Sequence, residues 1–213
     1  PAGDISINAS GLLNLQGISA QNQTLPGQPV ISRGLITQTF NGRGANIVIS
    51  AKNFVADNST GVITSTFGPA LGGNISLTTD TAQILGGSPY GAKSLGSLIL
   101  ATTAGAGNAG TINFSGRELY IDRGGFLISA TFGQGDGGDV FVNFTKIKLV
   151  GGIPLFDQNT FVPSAIASTS AAGGKGGLLD IRAEELNITD GARVDASALS
   201  NGGSGSIKIV ANK

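Results

Sequence analysis

The chain reads as a succession of short runs in which apolar and polar residues alternate, set between clusters of Gly, Asn, Ser and Asp. One pattern recurs seven times: Gly or Ala, a residue that is polar in six of the seven copies, then apolar-any-apolar. The copies are Gly3-Asp4-Ile5-Ser6-Ile7, Ala45-Asn46-Ile47-Val48-Ile49, Gly73-Asn74-Ile75-Ser76-Leu77, Gly110-Thr111-Ile112-Asn113-Phe114, Gly138-Asp139-Val140-Phe141-Val142, Gly177-Leu178-Leu179-Asp180-Ile181 and Gly205-Ser206-Ile207-Lys208-Ile209. Period-two alternation over a few residues rich in Ile, Val, Leu and Phe marks a strand with one buried face. No stretch carries the helical period of about 3.6 over ten or more residues, so the pattern predicts strands and no helix.

The first apolar residues of the copies lie at 5, 47, 75, 112, 140, 179 and 207, giving spacings of 42, 28, 37, 28, 39 and 28. A 28-residue unit therefore alternates with units lengthened by 14, 9 and 11 residues. Seven residues after a start comes a second apolar-any-apolar stretch, as in Phe54-Val55-Ala56, Leu119-Tyr120-Ile121, Ile147-Lys148-Leu149 and Leu186-Asn187-Ile188. A third follows about fifteen residues after the start, as in Val62-Ile63-Thr64, Leu127-Ile128-Ser129 and Val194-Asp195-Ala196. The extra residues of the long units fall at 17–29, 86–95 and 151–163. Three short strands cannot bury their inner faces alone, but they can do so by stacking on the units before and after. The prediction is an all-β, right-handed parallel β-helix (β-solenoid) of about six coils of a 28-residue period plus one strand. Insertions stand on alternate coils, and residues 1–213 form one segment.

Composition then acquires an address. Gly is 35 of 213 residues, more than twice the usual ~7%. Much of it precedes the first strand of a unit, as in Gly133-Gln134-Gly135-Asp136-Gly137-Gly138, where a sharp corner in left-handed backbone is the expectation. The polar residue after the last Gly (Asp4, Asn46, Asn74, Thr111, Asp139, Ser206) is expected to stack from coil to coil as a hydrogen-bond ladder, interrupted at Leu178. Phe40, Phe67 and Phe132, with Leu199, recur just before the same turn and read as an internal stack plugging the corner.

Charge narrows the partners. Thirteen basic and thirteen acidic side chains cancel, and charged residues are only 12% of the chain. That composition offers no electrostatic footprint for nucleic acid. No uncharged apolar run approaches the ~18 residues of a membrane helix, so membrane insertion is not expected. His, Cys, Met and Trp are absent, which removes thiol and imidazole chemistry and nearly every transition-metal site. No motif calls for a cofactor.

Four patterns invite chemistry. Gly133 to Val140 partly matches the Gly- and Asp-rich nonapeptide of calcium-binding β-rolls, which makes Asp136 and Asp139 a weak calcium candidate. The match is single, whereas shared ions need tandem copies, and a structural turn is the plainer reading. Acidic residues that might form the carboxylate pair of a glycosidase or lyase are scattered over Asp57, Asp80, Asp122, Asp157, Asp190, Asp195 and Glu184-Glu185, with Arg117, Glu118, Asp122 and Arg123 the densest group. Thr37 and Thr39, Thr64 and Thr66, Ser129 and Thr131, and Ser168 and Ser170 suggest a T-x-T ladder of the ice-binding kind. Parity puts Thr64 beside Val62 and Ser129 beside Leu127, favouring a buried packing layer. Sequons at Asn22, Asn58, Asn74, Asn113, Asn143 and Asn187 follow from the Asn/Ser/Thr-rich composition. No residue is assigned a catalytic role.

Interaction candidates lie elsewhere. The insertions hold Tyr90, Phe156 and Phe161 with most of the Pro, and insertions of this kind commonly map to one face. Residues 1–4 read as the end of a turn and 206–213 as the first strand of a seventh coil. Ile5, Ile7, Ile207 and Ile209 are thus expected at open strand edges, paired with another copy or with adjoining coils of a longer rod.

The G-x-[GA]-G-[ND]-I-x-I turn-strand, followed by Leu119-Tyr120-Ile121-Asp122-Arg123-Gly124-Gly125 and by Ser129-Ala130-Thr131-Phe132-Gly133, resembles the repeats of large secreted exoproteins of the filamentous haemagglutinin type, particularly their Gly/Asn-rich cyanobacterial members. The resemblance covers essentially the whole chain. It implies a right-handed β-helical rod exported by two-partner secretion to the cell surface, acting in adhesion or in fibre, surface-layer or matrix formation. Surface glycans or a host or matrix receptor would be its further partners. The leading expectation is a non-enzymatic structural or adhesive segment. The alternatives are a carbohydrate-active β-helix enzyme and an ice- or crystal-binding module.

Overall fold

A computed structural model describes residues 3–17, 33–40, 42–87, 96–154 and 161–212. These residues form strands and turns, with no helix among them. The strands in chain order are β1 (Ile5–Gln16), β2 (Arg33–Thr39), β3 (Ile47–Asp57), β4 (Thr60–Thr66), β5 (Ile75–Leu85), β6 (Leu98–Thr103), β7 (Ile112–Asp122), β8 (Phe126–Thr131), β9 (Val140–Val150), β10 (Gly152–Pro154), β11 (Phe161–Pro163), β12 (Ala165–Ser170), β13 (Leu178–Ala183), β14 (Glu185–Thr189), β15 (Arg193–Ala198) and β16 (Ser206–Ala211).

The chain alternates between two parallel sheets. One runs β1-β3-β5-β7-β9-β13-β16, with β14 also on β9, and the other runs β2-β4-β6-β8-β12-β15. In the first sheet Ile5 pairs with Ile47, Ile47 with Ile75, Ile75 with Ile112, Ile112 with Val140, Val140 with Leu179 and Leu179 with Ile207. The seven starts read from the sequence therefore stand in one ladder, and the one slip among the described pairings of this sheet is in the first unit, where β1 carries an extra residue between Ala9 and Leu12 relative to β3. In the second sheet Leu35, Val62, Ile99, Leu127, Ile166 and Val194 stand in register in the same way. Register is this strict because a shift of one residue would turn every inward side chain to solvent.

Two strands per unit replace the predicted three. The first two apolar stretches share one strand, as in β3, where inward parity passes from Ile47, Ile49 and Ala51 to Phe54 and Ala56. Ala51 pairs with Thr79 and Asn53 with Thr81, while Lys52 and Asp80 are passed over. One outward residue per strand is enough to change parity, so the ladder runs on through the bend. Only the last full unit separates the stretches, into β13 and β14 on either side of Glu184.

The inner faces of the two sheets form one core. Ile47, Ile75, Ile112, Val140 and Leu179 from the first sheet and Val62, Ile99, Leu127 and Ile166 from the second are fully buried. Each side chain of this kind contributes about 1.5–3 kcal/mol relative to an exposed one. Phe114 packs edge-on against Phe144 with ring centroids 5.0 Å apart. Gly116, paired with Phe144, leaves room for that ring, since a Cβ there would stand 2.6 Å from it.

The Thr and Ser pairs face this interior rather than solvent: Thr37, Thr39, Thr64, Thr66, Ser129, Thr131, Ser168 and Ser170 are all buried. Hydroxyls of this column hold the Gly-rich corner, while those of Thr39 and Thr66 are buried without a hydrogen-bond partner among the described residues. Thr64 donates to the Gly73 carbonyl at 2.8 Å, and Ser129 donates to Gly110 O at 2.7 Å while accepting Gly138 N–H at 3.1 Å. Ser168 repeats this with Gly138 O and Gly177 N–H, both at 2.8 Å.

Two expectations for that corner are corrected. Among its described glycines only Gly42 has positive φ; left-handed backbone falls mainly at the opposite corner, at Asn58, Ser59, Arg123, Gly124, Asp190 and Gly191. Glycine is needed instead because stacked units touch: a Cβ on Gly73 would stand 1.9 Å from Ala45 O, and one on Gly110 1.8 Å from Gly73 O. The aromatic column is also external. Phe40, Phe67, Phe132 and Leu199 are 66%, 46%, 64% and 73% exposed. Phe40 and Phe67 stack outside the corner with centroids 5.0 Å apart and planes 15° from parallel, because the interior there is already filled by the hydroxyl column and close-packed backbone.

Candidate interaction surfaces

The predicted polar ladder is present, in side-chain-to-backbone form. Asp4 Oδ1 accepts Asn46 N–H at 2.7 Å, Asn46 Oδ1 accepts Asn74 N–H at 3.0 Å, Asn74 Oδ1 accepts Thr111 N–H at 2.8 Å and Asp139 Oδ1 accepts Leu178 N–H at 2.8 Å. Leu178 offers no side-chain acceptor, and Ser206 N–H turns to Gly177 O at 3.2 Å. A second ladder stands three residues earlier: Asn108 Oδ1 accepts Asp136 N–H at 2.9 Å and Asp136 Oδ1 accepts Lys175 N–H at 2.7 Å. Between the two ladders runs an open groove of about 550 Å³, floored by the glycines of the corner and reaching from Arg43 to Ser206. The sequence signals it only as polar residues three apart across Gly or Ala, and its existence depends on the stacking of those triplets.

The calcium candidates Asp136 and Asp139 lie on this groove. Each carboxylate spends one oxygen on the next unit's N–H, which is the turn role. No group of three acidic residues able to hold a metal ion occurs among the described residues.

The opposite corner carries the densest charge. Arg123 Nη2 reaches Asp57 Oδ1 at 3.1 Å, and Tyr120 donates its hydroxyl to Asp122 Oδ2 at 2.7 Å. That bond holds the phenolic proton and raises the Tyr120 pKa above its ordinary value. Arg117 pairs with Glu118 on the bend, and Lys146 with Glu185 at 2.9 Å. Near the last strand, Arg182 Nε and Nη2 grip Asp180 at 2.9 and 3.0 Å and hold its carboxyl below the usual range, with Lys208 3.9 Å away. Lys146–Glu185 and Lys208–Asp180 join paired strand positions, whereas Arg123 reaches across one intervening strand to Asp57.

Of the insertion residues, Tyr90 and Phe156 lie outside the described residues. Phe161 is on β11, which pairs antiparallel with β10. Ile153 of the same hairpin is buried beside Gly86 and Gly124, so this insertion seals the corner it crosses while Phe161 stays half exposed. Ile5 and Ile7 pack as half-buried ends of the core columns, and Ile207 and Ile209 are about half exposed on β16. Among the described residues β1 and β16 are the outer strands of the first sheet and β2 and β15 those of the second.

No family model, no curated protein and no solved structure matches this chain.

Proposed function

We propose that the two parallel sheets are the walls of a right-handed β-helical rod. On this reading the chain is a non-enzymatic stretch of an extracellular fibre, surface layer or matrix of the filamentous haemagglutinin type. The observation that carries the reading is the single ladder from Ile5 through Ile47, Ile75, Ile112, Val140 and Leu179 to Ile207. A chain that returns to one register position once per unit, with a second sheet visited between returns, advances by one strand spacing of about 4.8 Å each time. Parallel crossovers of this kind are right-handed almost without exception. Inward hydroxyls, interlocked glycines and ladder bonds leave little that can move, as suits a stiff spacer.

The exposed edges of β1, β2, β15 and β16 are the proposed assembly surfaces, covered by further coils or by a second copy. Alignment of Ile207 and Ile209 over Ile5 and Ile7 would continue the core columns. The test is purified chain 1–213 examined by sedimentation and fibre diffraction at rising concentration. End-to-end oligomers with an axial reflection near the strand spacing of ~4.8 Å are expected, and Ile209→Lys should abolish them. A species that stays monomeric throughout would overturn assembly by a second copy, and release of reducing ends from polysaccharides would overturn the non-enzymatic reading.

A further inference from the structure

We propose that the glycine-floored groove binds a linear, uncharged polysaccharide lying along the stacking direction. This deepens the adhesive part of the reading above by naming the class of ligand.

The ladder bonds leave half of each rim side chain unused. Asn74 and Asn108 give Oδ1 to the next unit's N–H and keep Nδ2; Asp136 and Asp139 give Oδ1 and keep Oδ2. All four residues line the groove, together with Thr111, and none of the unused atoms, nor the Thr111 hydroxyl, has a partner among the described residues. Because the ladder bond already holds each side chain, these atoms are pre-positioned, and a ligand would lose little rotamer freedom in binding them. They repeat with the stacking of the units, so a ligand that repeats along its own length can meet several at once.

The mixture of atoms selects the chemistry. Asn74 and Asn108 offer donors and Asp136 and Asp139 offer acceptors; a hydroxyl is both and satisfies either. Arg43 and Lys175 on the lining balance Asp136 and Asp139, so neither a polyanion nor a polycation is favoured. Peptide addition to an edge is disfavoured because the floor has no free ladder: Gly72 N–H bonds Asn108 O, Ala109 N–H bonds Asp136 O, and Gly137 N–H bonds Lys175 O. Exposed Leu71 on the rim gives the C–H face of a sugar an apolar contact.

The experiment titrates chain 1–213 with β-1,4-, β-1,3- and α-1,4-linked gluco-oligosaccharides, with heparin and with an extended peptide as comparison probes. The double variant Asn74→Asp/Asn108→Asp keeps both Oδ1 acceptors, as Asp139 and Asp136 do natively, and exchanges the two free donors for acceptors. It should unfold at the wild-type denaturant midpoint and bind the preferred neutral oligosaccharide about tenfold more weakly. Leu71→Arg, a rim change outside both ladders, should weaken binding as well. The proposal falls if no neutral oligosaccharide binds, if the variants bind as wild type, or if heparin or the peptide binds more tightly. Sedimentation of the wild-type samples separates the two readings: no glycan binding with oligomers intact sinks this inference alone, and no oligomers with binding intact sinks assembly by a second copy alone.

Discussion

Asn46 Oδ1 accepts the backbone N–H of Asn74, 28 residues on, at 3.0 Å. Among the described residues no backbone carbonyl accepts that proton, so the side chain completes a ladder that backbone alone leaves open. Asn46→Ala should therefore cost about 1–3 kcal/mol, the penalty for a partly buried N–H without a partner. Asn46→Asp, which keeps the acceptor as Asp4 and Asp139 do, should cost far less. Urea unfolding of the two variants checks the difference; equal midpoints would mean that the ladder is ornamental.

Close stacking of the corners separates glycines that look alike in sequence. Gly110→Ala places a Cβ 1.8 Å from Gly73 O, backbone that cannot yield without parting two units, whereas a Cβ on Gly203 would meet only the Lys175 side chain at 3.6 Å. The first substitution should abolish soluble folded protein and the second should leave the thermal midpoint close to wild type. Circular dichroism melts decide between them.

Ser129 bridges Gly110 O and Gly138 N–H from a fully buried position. Ser129→Ala removes both bonds while leaving the space, and is expected to cost about 1–3 kcal/mol. Hydrogen exchange should then rise locally at Gly138, and unchanged protection there would contradict the clamp.

Arg182 holds the Asp180 carboxyl below its ordinary pKa through two hydrogen bonds, with Lys208 nearby. A carboxylate lowered in the folded state stabilises above its unfolded pKa of ~3.9 and loses that contribution as pH falls through the folded value. Asp180→Asn should remove this part of the acid sensitivity, so its stability difference from wild type should narrow below about pH 4. Denaturant midpoints at neutral and acid pH read the effect.

Two phenylalanine columns predict opposite sensitivities. Phe67 stacks on Phe40 outside the corner, and Phe67→Ser should cost no more than about 1.5 kcal/mol. Phe114 is buried between Phe54 and Phe144, and Phe114→Ala should cost about 3–5 kcal/mol. Urea titrations of both variants rank them; a larger loss at Phe67 would place that ring in the interior after all.

The apolar stretches and the inward columns are legible because alternation is a local property: once Ile47 and Ile49 face in, Val48 must face out, and a repeated Gly-polar-Ile start fixes which residues meet. That the first two stretches of a unit share one strand is not legible, because the change of parity between them looks like a break. The hydroxyl layer followed from the same parity, through Thr64 beside Val62 and Ser129 beside Leu127. Parity does not reach into the corners, where successive residues are neither helical nor extended. Phe40, Phe67 and Phe132 therefore read as interior plugs although all three are exposed, the first two stacked on each other. The same corners looked like left-handed turns, although their glycines answer to contact with the neighbouring unit.

What the sequence by itself determined is the identity of the repeating unit and the residues that stack on it, since burying one face of a strand needs only the alternation and a start that recurs in every unit. Tertiary structure alone decided what lies between the columns. The groove from Arg43 to Ser206, with Asn74, Asn108, Asp136 and Asp139 each holding one atom back from the ladders, exists only when units separated by 28, 37 or 39 residues press their glycines together. No property of a single unit contains that contact.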